Sequence, residues 1–212
     1  MNSPADSQAG TASVFDTETP WFESRSAERR RNTLSDISSF DLIPSRPDII
    51  SPKHMREVFH DQGRKIVCVS GGFDPLGMHH VVYMNAAKKL GSILIVILNS
   101  DRFLYNKKGY YFLPAMHRKI IIEQMRSVDY VYMHNPTDPD DMTVCEALID
   151  IHPDIFAKGG DRSPLDDPIP EEKVCEDLNI EVVYGVGGFN KISSSSTLVE
   201  EGYKRFEKRG SK

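Results

Sequence analysis

The chain has 212 residues, 39% of them hydrophobic, and a formal net charge of -5. That suits one packed domain with an appendage, and the acidic balance argues against nucleic acid as the main partner while leaving room for a local phosphate-binding cluster. Cys68, Cys145 and Cys175 are too far apart for a disulfide scaffold or zinc site and point to a reducing cytoplasm; no secretory leader is recognisable, and the longest apolar run, 93–98, is too short to span a bilayer.

Residues 1–60 are rich in Ser, Thr, Asp, Glu and Pro and are expected to form a disordered or loosely structured arm, because they bury too little apolar surface to offset ordering entropy. The basic patch at 26–32 reads as a solvated linker. Positions 51–60 predict a short lead-in helix, with Ser51 as its cap and Pro52 in its first turn.

From Arg64 to about Phe206 the pattern alternates, which marks 61–212 as the folded domain. An apolar strand at 65–70 ends at Gly71-Gly72, a helix at 80–90 ends at Gly91 as its C-cap, and a second strand occupies 92–98. There follow a helix at 114–125, a strand at 128–133, a helix at 142–151, a strand at 154–157, a helix at 170–178, a strand at 181–184 and a closing amphipathic helix from 194 to about 206. This alternation predicts an α/β, Rossmann-like fold: a parallel five-stranded sheet with helices on both faces, its ligand beyond the carboxyl ends of the strands.

The residues that carry chemistry follow strands. Gly71 and Gly72 let the chain turn sharply, and a helix starting near His79 or His80 aims free N–H groups and two imidazoles at a phosphate. Asp101 either caps the next turn or touches ligand. Lys107-Lys108-Gly109 reads on its own as a basic turn, Arg118 as an exposed first-turn arginine, and Lys158-Gly159-Gly160-Asp161 as a strand-ending turn with a capping aspartate. The serine run at 193–196 places hydroxyls and N–H groups at the start of the last helix, a second phosphate cradle, with Ser194 and Ser195 the favoured members.

The stretch at 70–81, Ser-Gly-Gly-Phe-Asp-Pro-Leu-Gly-Met-His-His-Val, resembles the Gly-x-Phe-Asp-x-x-His-x-Gly-His signature of the cytidylyltransferase-like nucleotidylyltransferases, which include glycerol-3-phosphate cytidylyltransferase and heptose-phosphate and phosphopantetheine adenylyltransferases. Gly71, Phe73, Asp74 and His80 match, whereas Gly77 stands at the first histidine and His79 at the glycine. Five further segments fall in the family's order: Asn-Ser-Asp at 99–101, the Lys-Lys-Gly loop, the Arg118 helix with Val-Asp-Tyr-Val at 128–131, Lys-Gly-Gly-Asp at 158–161, and the serine-rich helix start at 192–198. The resemblance covers about two-thirds of the chain.

The resemblance implies transfer of a nucleotidyl group from CTP or ATP to a small phosphorylated acceptor, a sugar or polyol phosphate, with release of pyrophosphate. It assigns His80, Lys108 and Arg118 to catalysis. It assigns Gly71, Gly72, Phe73, Asp74, His79, Lys158, Gly159, Gly160, Asp161, Ser194 and Ser195 to the nucleotide. Mg²⁺ is expected with the NTP, held mainly by its phosphates rather than by protein ligands, and the homodimer common among relatives is expected by analogy. The Gly77/His79 departures motivate a second reading, a nucleotide-binding sensor or scaffold that has lost turnover. A third, a dinucleotide-dependent oxidoreductase, rests on Gly185-Val186-Gly187-Gly188, which comes after the last strand and so lacks the following strand that fingerprint needs. Acyl transfer is excluded because no Gly-x-Ser-x-Gly elbow occurs.

Overall fold

Five short runs dominated by aliphatic and aromatic residues become strands: β1 (Ile66–Gly71), β2 (Ile93–Asn99), β3 (Tyr130–His134), β4 (Ile155–Gly159) and β5 (Glu181–Val186). The computed structural model describes residues 52–160, 169–188 and 195–210. The expected arm therefore lies outside the described residues apart from its lead-in helix, as do Asp161 and Ser194. The strands pair in the order β3-β2-β1-β4-β5, all parallel. All seven β2 residues are buried, which is why this strand reads as a continuous apolar run rather than an alternating one.

The helices are α1 (Pro52–Asp61), α2 (Met78–Lys88), α3 (Asp101–Lys108), α4 (Ala115–Glu123), α5 (Cys145–Ile151), α6 (Glu172–Asp177) and α7 (Ser195–Gly210). Alternate strand residues face opposite layers. Val67, Val69, Leu94 and Val96 pack with Met84 of α2 and Ile122 of α4. Ile66, Cys68, Ile93 and Ile95 face the other way, against Phe59 of α1, Leu148 of α5 and Cys175 of α6.

Two aspartates tie the amino ends of the strands. Asp154 accepts the Ile66 N–H at 2.7 Å and pairs with His60 of α1 at 2.9 Å. Asp129 accepts the Leu94 N–H at 2.7 Å and pairs with Lys88 of α2. With this end occupied by structural contacts, the carboxyl ends remain for ligand.

The structure departs from the expected elements in three places. The basic turn around Lys107 and Lys108 is the last turn of a helix, α3. Ser100 caps it by accepting the Phe103 N–H at 3.2 Å, Phe103 and Leu104 bury its inner face, and Gly109 ends it at φ 82. Gly91 is not a helix cap: α2 ends at Lys88, with Lys89 as its right-handed C-cap. The α5 helix begins three residues later than the expected 142, because Asp141 and Thr143 take the N–H groups of Thr143 and Cys145 into local turns.

Gly91 is required for close approach instead. A Cβ there would lie 2.7 Å from the Lys65 carbonyl oxygen and 2.7 Å from Val67 Cγ2, both at the packed amino end of the central strand β1. Gly91→Ala should therefore cost about 1–3 kcal/mol. A melting curve unchanged from that of the parent protein would show that the turn yields without cost.

Candidate active site

The exit of β1 is built from residues without room for side chains. A Cβ on Gly72 would lie 2.5 Å from Leu104 Cδ2 of α3, and one on Gly71 would lie 3.0 Å from the Phe73 ring. Phe73, at φ 49, turns its ring into the core beneath α2, edge-on to the His80 imidazole with ring centroids 5.2 Å apart. Asp74 is buried, and its carboxylate accepts the Phe112 N–H at 2.6 Å and the Leu113 N–H at 2.8 Å. Both expected nucleotide contacts are thus engaged within the protein: Phe73 packs, and Asp74 anchors the segment that follows α3.

Gly77 is the N-cap of α2, and its N–H donates to Nδ1 of His80 at 3.0 Å. That bond fixes the ring: with Nδ1 accepting, the neutral imidazole carries its proton on Nε2 and presents a donor there. Burial first, then the neighbouring His79 and Lys108, push the His80 pKa down from 6.5 to about 4. A phosphate at this corner therefore meets an uncharged N–H donor at neutral pH.

The Gly77/His79 exchange has a physical explanation. The His79 ring sits 3.8 Å, centroid to centroid, from that of His80. A Cβ on Gly77 would lie only 2.9 Å from His79 Cε1 and 3.0 Å from its Nδ1. The φ of Gly77 is -132°, which any residue adopts, so glycine is needed there for space alone. An imidazole thus remains over position 77, supplied from two residues along the helix rather than from position 77 itself.

Lys108 is half-buried near the same corner. Burial holds its ammonium below the ordinary lysine range, with Lys107 and Arg118 adding to this and Asp74 opposing it. Arg118 is not the exposed arginine its position in the first turn of a helix suggests: it is 1% exposed. Its Nε donates to the Leu113 carbonyl at 2.8 Å, Nη1 to the Gly72 and Asn99 carbonyls at 2.7 and 2.9 Å, and Nη2 to Asp101 at 2.7 Å. Four of its five N–H donors are engaged by protein oxygens, and Asp101 is its ion partner rather than the cap of α3.

The last helix starts beside the first motif. Ser195 Oγ donates to the Pro75 carbonyl at 3.0 Å, and Leu198 Cδ1 lies 3.3 Å from the Cβ position of Gly77. Next to this junction Tyr83 of α2 donates to the Ala157 carbonyl at 2.6 Å. Gly159 and Gly187 make room for Tyr83: Cβ atoms on them would lie 2.9 Å from its ring and 3.0 Å from its Cα. Gly187 therefore allows α2 to pack closely against the end of β5. Gly160 takes φ 76 in the turn that leaves β4. Lys158 points to the opposite sheet face, with Nζ over the Phe156 ring at 4.2 Å and 3.4 Å from Ser70 Oγ.

Gly71, Gly72, Phe73, Asp74, His79, His80, Lys108 and Ser195 thus gather at one corner, and Lys158 lies across the sheet from them. Tyr83, Leu104 and Leu113 shape the corner and were not marked by the sequence pattern. Tyr83 lies in an apolar helical run, where an aromatic reads as core.

The comparisons with known proteins agree with this architecture. A model of the cytidylyltransferase-like family matches residues 68–197, more than half of the chain. The chain belongs to that family. It is 29% identical over 164 residues to the bifunctional protein HldE of Erwinia tasmaniensis, an alignment covering 76% of this chain and 32% of that protein. It is 37% identical over 114 residues to HldE of Pectobacterium atrosepticum, covering 53% of this chain and 23% of that protein. The chain thus spans a third or less of the length of these curated relatives. A lipopolysaccharide core biosynthesis protein from Thermoplasma volcanium overlays 60% of this chain and 100% of its own, with 22% identity and a TM-score of 0.49. Among the described residues no helix is long and apolar enough to cross a membrane.

Two predictions follow from the α2 corner. Gly77→His should lower the melting temperature because its Cβ displaces the His79 ring, and adding His79→Gly should recover most of that loss; strictly additive effects in the cycle would refute the steric coupling. The second concerns pH. Above pH 6.5 His80 is neutral whether the chain is folded or unfolded; between 6.5 and about 4 the unfolded chain takes up a proton that the folded chain does not, so stability falls as pH drops through that window. His80→Gln should lose less melting temperature than the parent over this window, and parallel pH curves for the two would contradict the assignment.

Proposed function

We propose that this chain is a nucleotidylyltransferase that moves an NMP group from CTP or ATP to a small phosphorylated acceptor, a sugar or polyol phosphate. The observation that carries the reading is the junction of two helix beginnings at one corner, where Ser195 of α7 bonds Pro75 beside the Gly77 cap of α2. Helix N-termini favour anions, and two that converge suit a polyphosphate. Family membership supports nucleotide chemistry at that corner.

In the proposed step a phosphate oxygen of the acceptor attacks the α-phosphorus of the NTP. The new P–O bond forms as the bond from the α-phosphorus to the bridging oxygen breaks, and pyrophosphate leaves with that electron pair. The attacking oxygen is already anionic, so positioning and charge neutralisation carry the catalysis. His80 donates from Nε2, His79 supplies the second imidazole, and Lys108 brings the positive charge. Gly160, whose Cβ side meets nothing within 4 Å, admits the nucleotide close to backbone, while Gly71, Gly72 and Gly159 leave room for Phe73, Leu104 and Tyr83; Ser195 stands at the second helix start. Asp161 and Ser194 are assigned to the same nucleotide by sequence. Among the described residues assigned to the nucleotide, Lys158 alone faces the other side of the sheet. Phe73, Asp74 and Arg118 act by holding the corner in shape rather than by touching the phosphates.

Mg²⁺ would arrive with the nucleotide and supply charge neutralisation. Among the described residues no three His, Cys, Asp or Glu side chains converge, and the carboxylate nearest the corner, Asp74, already accepts two backbone N–H bonds. Its ligands would then be phosphate oxygens and water, an arrangement Mg²⁺ favours.

The test is to incubate the protein with each NTP, Mg²⁺ and a panel of phosphorylated sugars and polyols, and to measure pyrophosphate. Release is expected with one NTP–acceptor pair, and Lys108→Ala should lower kcat by about a hundredfold or more. Nucleotide binding without pyrophosphate for any pair would instead favour the sensor or scaffold reading that Gly77 and His79 motivated.

A further inference from the structure

Among the described residues, two buried side-chain oxygens on the sheet face opposite α2 have no hydrogen-bond donor. They are Oδ1 of Asn99, a residue 6% exposed, and Oε2 of Glu171, a residue 5% exposed. Lys158 Nζ stands 3.7 Å from Glu171 Oε2, close enough to offset its charge but too far to hydrogen-bond it. Leaving such acceptors unpaired is costly, and native proteins rarely do so without a functional reason or an ordered water.

The two residues that carry them belong to one run of strand pairings and side-chain contacts around the carboxyl ends of the strands. Asn99 of β2 pairs in register with His134 of β3. His134 Nε2 donates to the Thr143 carbonyl at 2.9 Å, a direction fixed because a carbonyl only accepts. The next residue, Val144, donates its N–H to Glu171 Oε1 at 3.2 Å. Glu171 faces Lys158 of β4, Lys158 reaches Ser70 Oγ of β1 at 3.4 Å, and Ser70 pairs in register with Ile97, two residues before Asn99 on β2. From Ser70 the chain needs only four residues to reach Asp74 on the phosphate side.

We propose that this run of contacts is the acceptor subsite, and that it binds the polyhydroxylated body of the acceptor through hydroxyl groups donating to Asn99 Oδ1 and Glu171 Oε2. The proposal rests on the nucleotidylyltransferase reading. The chemistry selects hydroxyls over phosphate, since both orphan atoms are acceptors and a carboxylate repels an anion. Lys158, assigned to the nucleotide by sequence, stands here instead as the cation beside Glu171, 3.7 Å from its Oε2. The acceptor's phosphate then lies toward the α2 corner and its sugar or polyol body on the other face of the sheet.

The test is calorimetric and needs no turnover. The full chain, saturated with Mg²⁺ and a non-hydrolysable NTP analogue, is titrated with a panel of pentose, hexose, heptose and polyol phosphates and with inorganic phosphate. At least one panel member should bind more tightly than inorganic phosphate. Glu171→Gln and Asn99→Leu should each weaken that member by about tenfold or more while changing nucleotide and inorganic phosphate affinity less than twofold. Variants that weaken all three ligands alike, or none, overturn the subsite. So does a parent protein that binds no panel member better than phosphate, a result that would leave the two oxygens to ordered water and would stand even if a variant failed to fold. Loss of nucleotide binding in the parent protein would instead sink the proposed function, and the two failures are thereby distinguished.

Discussion

The candidate site depends on one peptide segment gripped by two buried charges of opposite sign. Asp74 takes the N–H groups of Phe112 and Leu113, and Arg118 takes the Leu113 carbonyl. The same guanidinium binds the carbonyls of Gly72 and Asn99, just past β1 and at the end of β2. An unpaired buried cation would be strongly destabilising, so a side chain with four protein acceptors also fixes where those acceptors must stand. A planar fork does this in a way that a lysine ammonium would not. The ends of two strands and the loop entering α4 are thereby locked into one unit, from which Lys108 and His80 are presented.

The two faces of the sheet present different chemistry at its carboxyl end. The α2 face carries imidazoles, helix starts and the half-buried lysine, all suited to spread negative charge. The α5/α6 face carries neutral and acidic acceptors balanced by one lysine, suited to hydroxyl groups. A reaction that joins a triphosphate to a polar small molecule needs both kinds of surface within reach of each other. The β1 exit at 70–74 is the strip of chain that borders both.

Much of this architecture was legible because parallel strands buried on both faces leave unbroken apolar runs, as at 93–98, and because glycines punctuate their ends. The helix α3 was not: its signals, Ser100 as cap and Gly109 as terminator, fall inside the Asn-Ser-Asp and Lys-Lys-Gly segments, where they look like parts of a motif and a basic turn. The inward roles of Arg118 and Asp74 were illegible for a different reason. A charged residue in a ligand-binding motif reads as a ligand contact, and only three-dimensional packing shows that its partners are backbone groups from distant segments. The Gly77/His79 departure was visible as a mismatch, yet its compensation needed the distance between a missing Cβ and a ring.

The seam between β1 and β4 carries a consequence for how the chain is made. Asp154 meets the Ile66 amide across 88 residues, whereas β2 reaches β1 through one crossover helix, α2. Closing the longer loop costs more entropy before any contact rewards it, so the β1–β2–β3 half should assemble while the other edge of β1 is still bare. During synthesis that edge is an apolar ribbon awaiting its partner, the kind of surface that recruits other chains. Pulse-labelled hydrogen exchange would see this as amides of β2 protected ahead of those of β5, and simultaneous protection would mean that the two halves nucleate together.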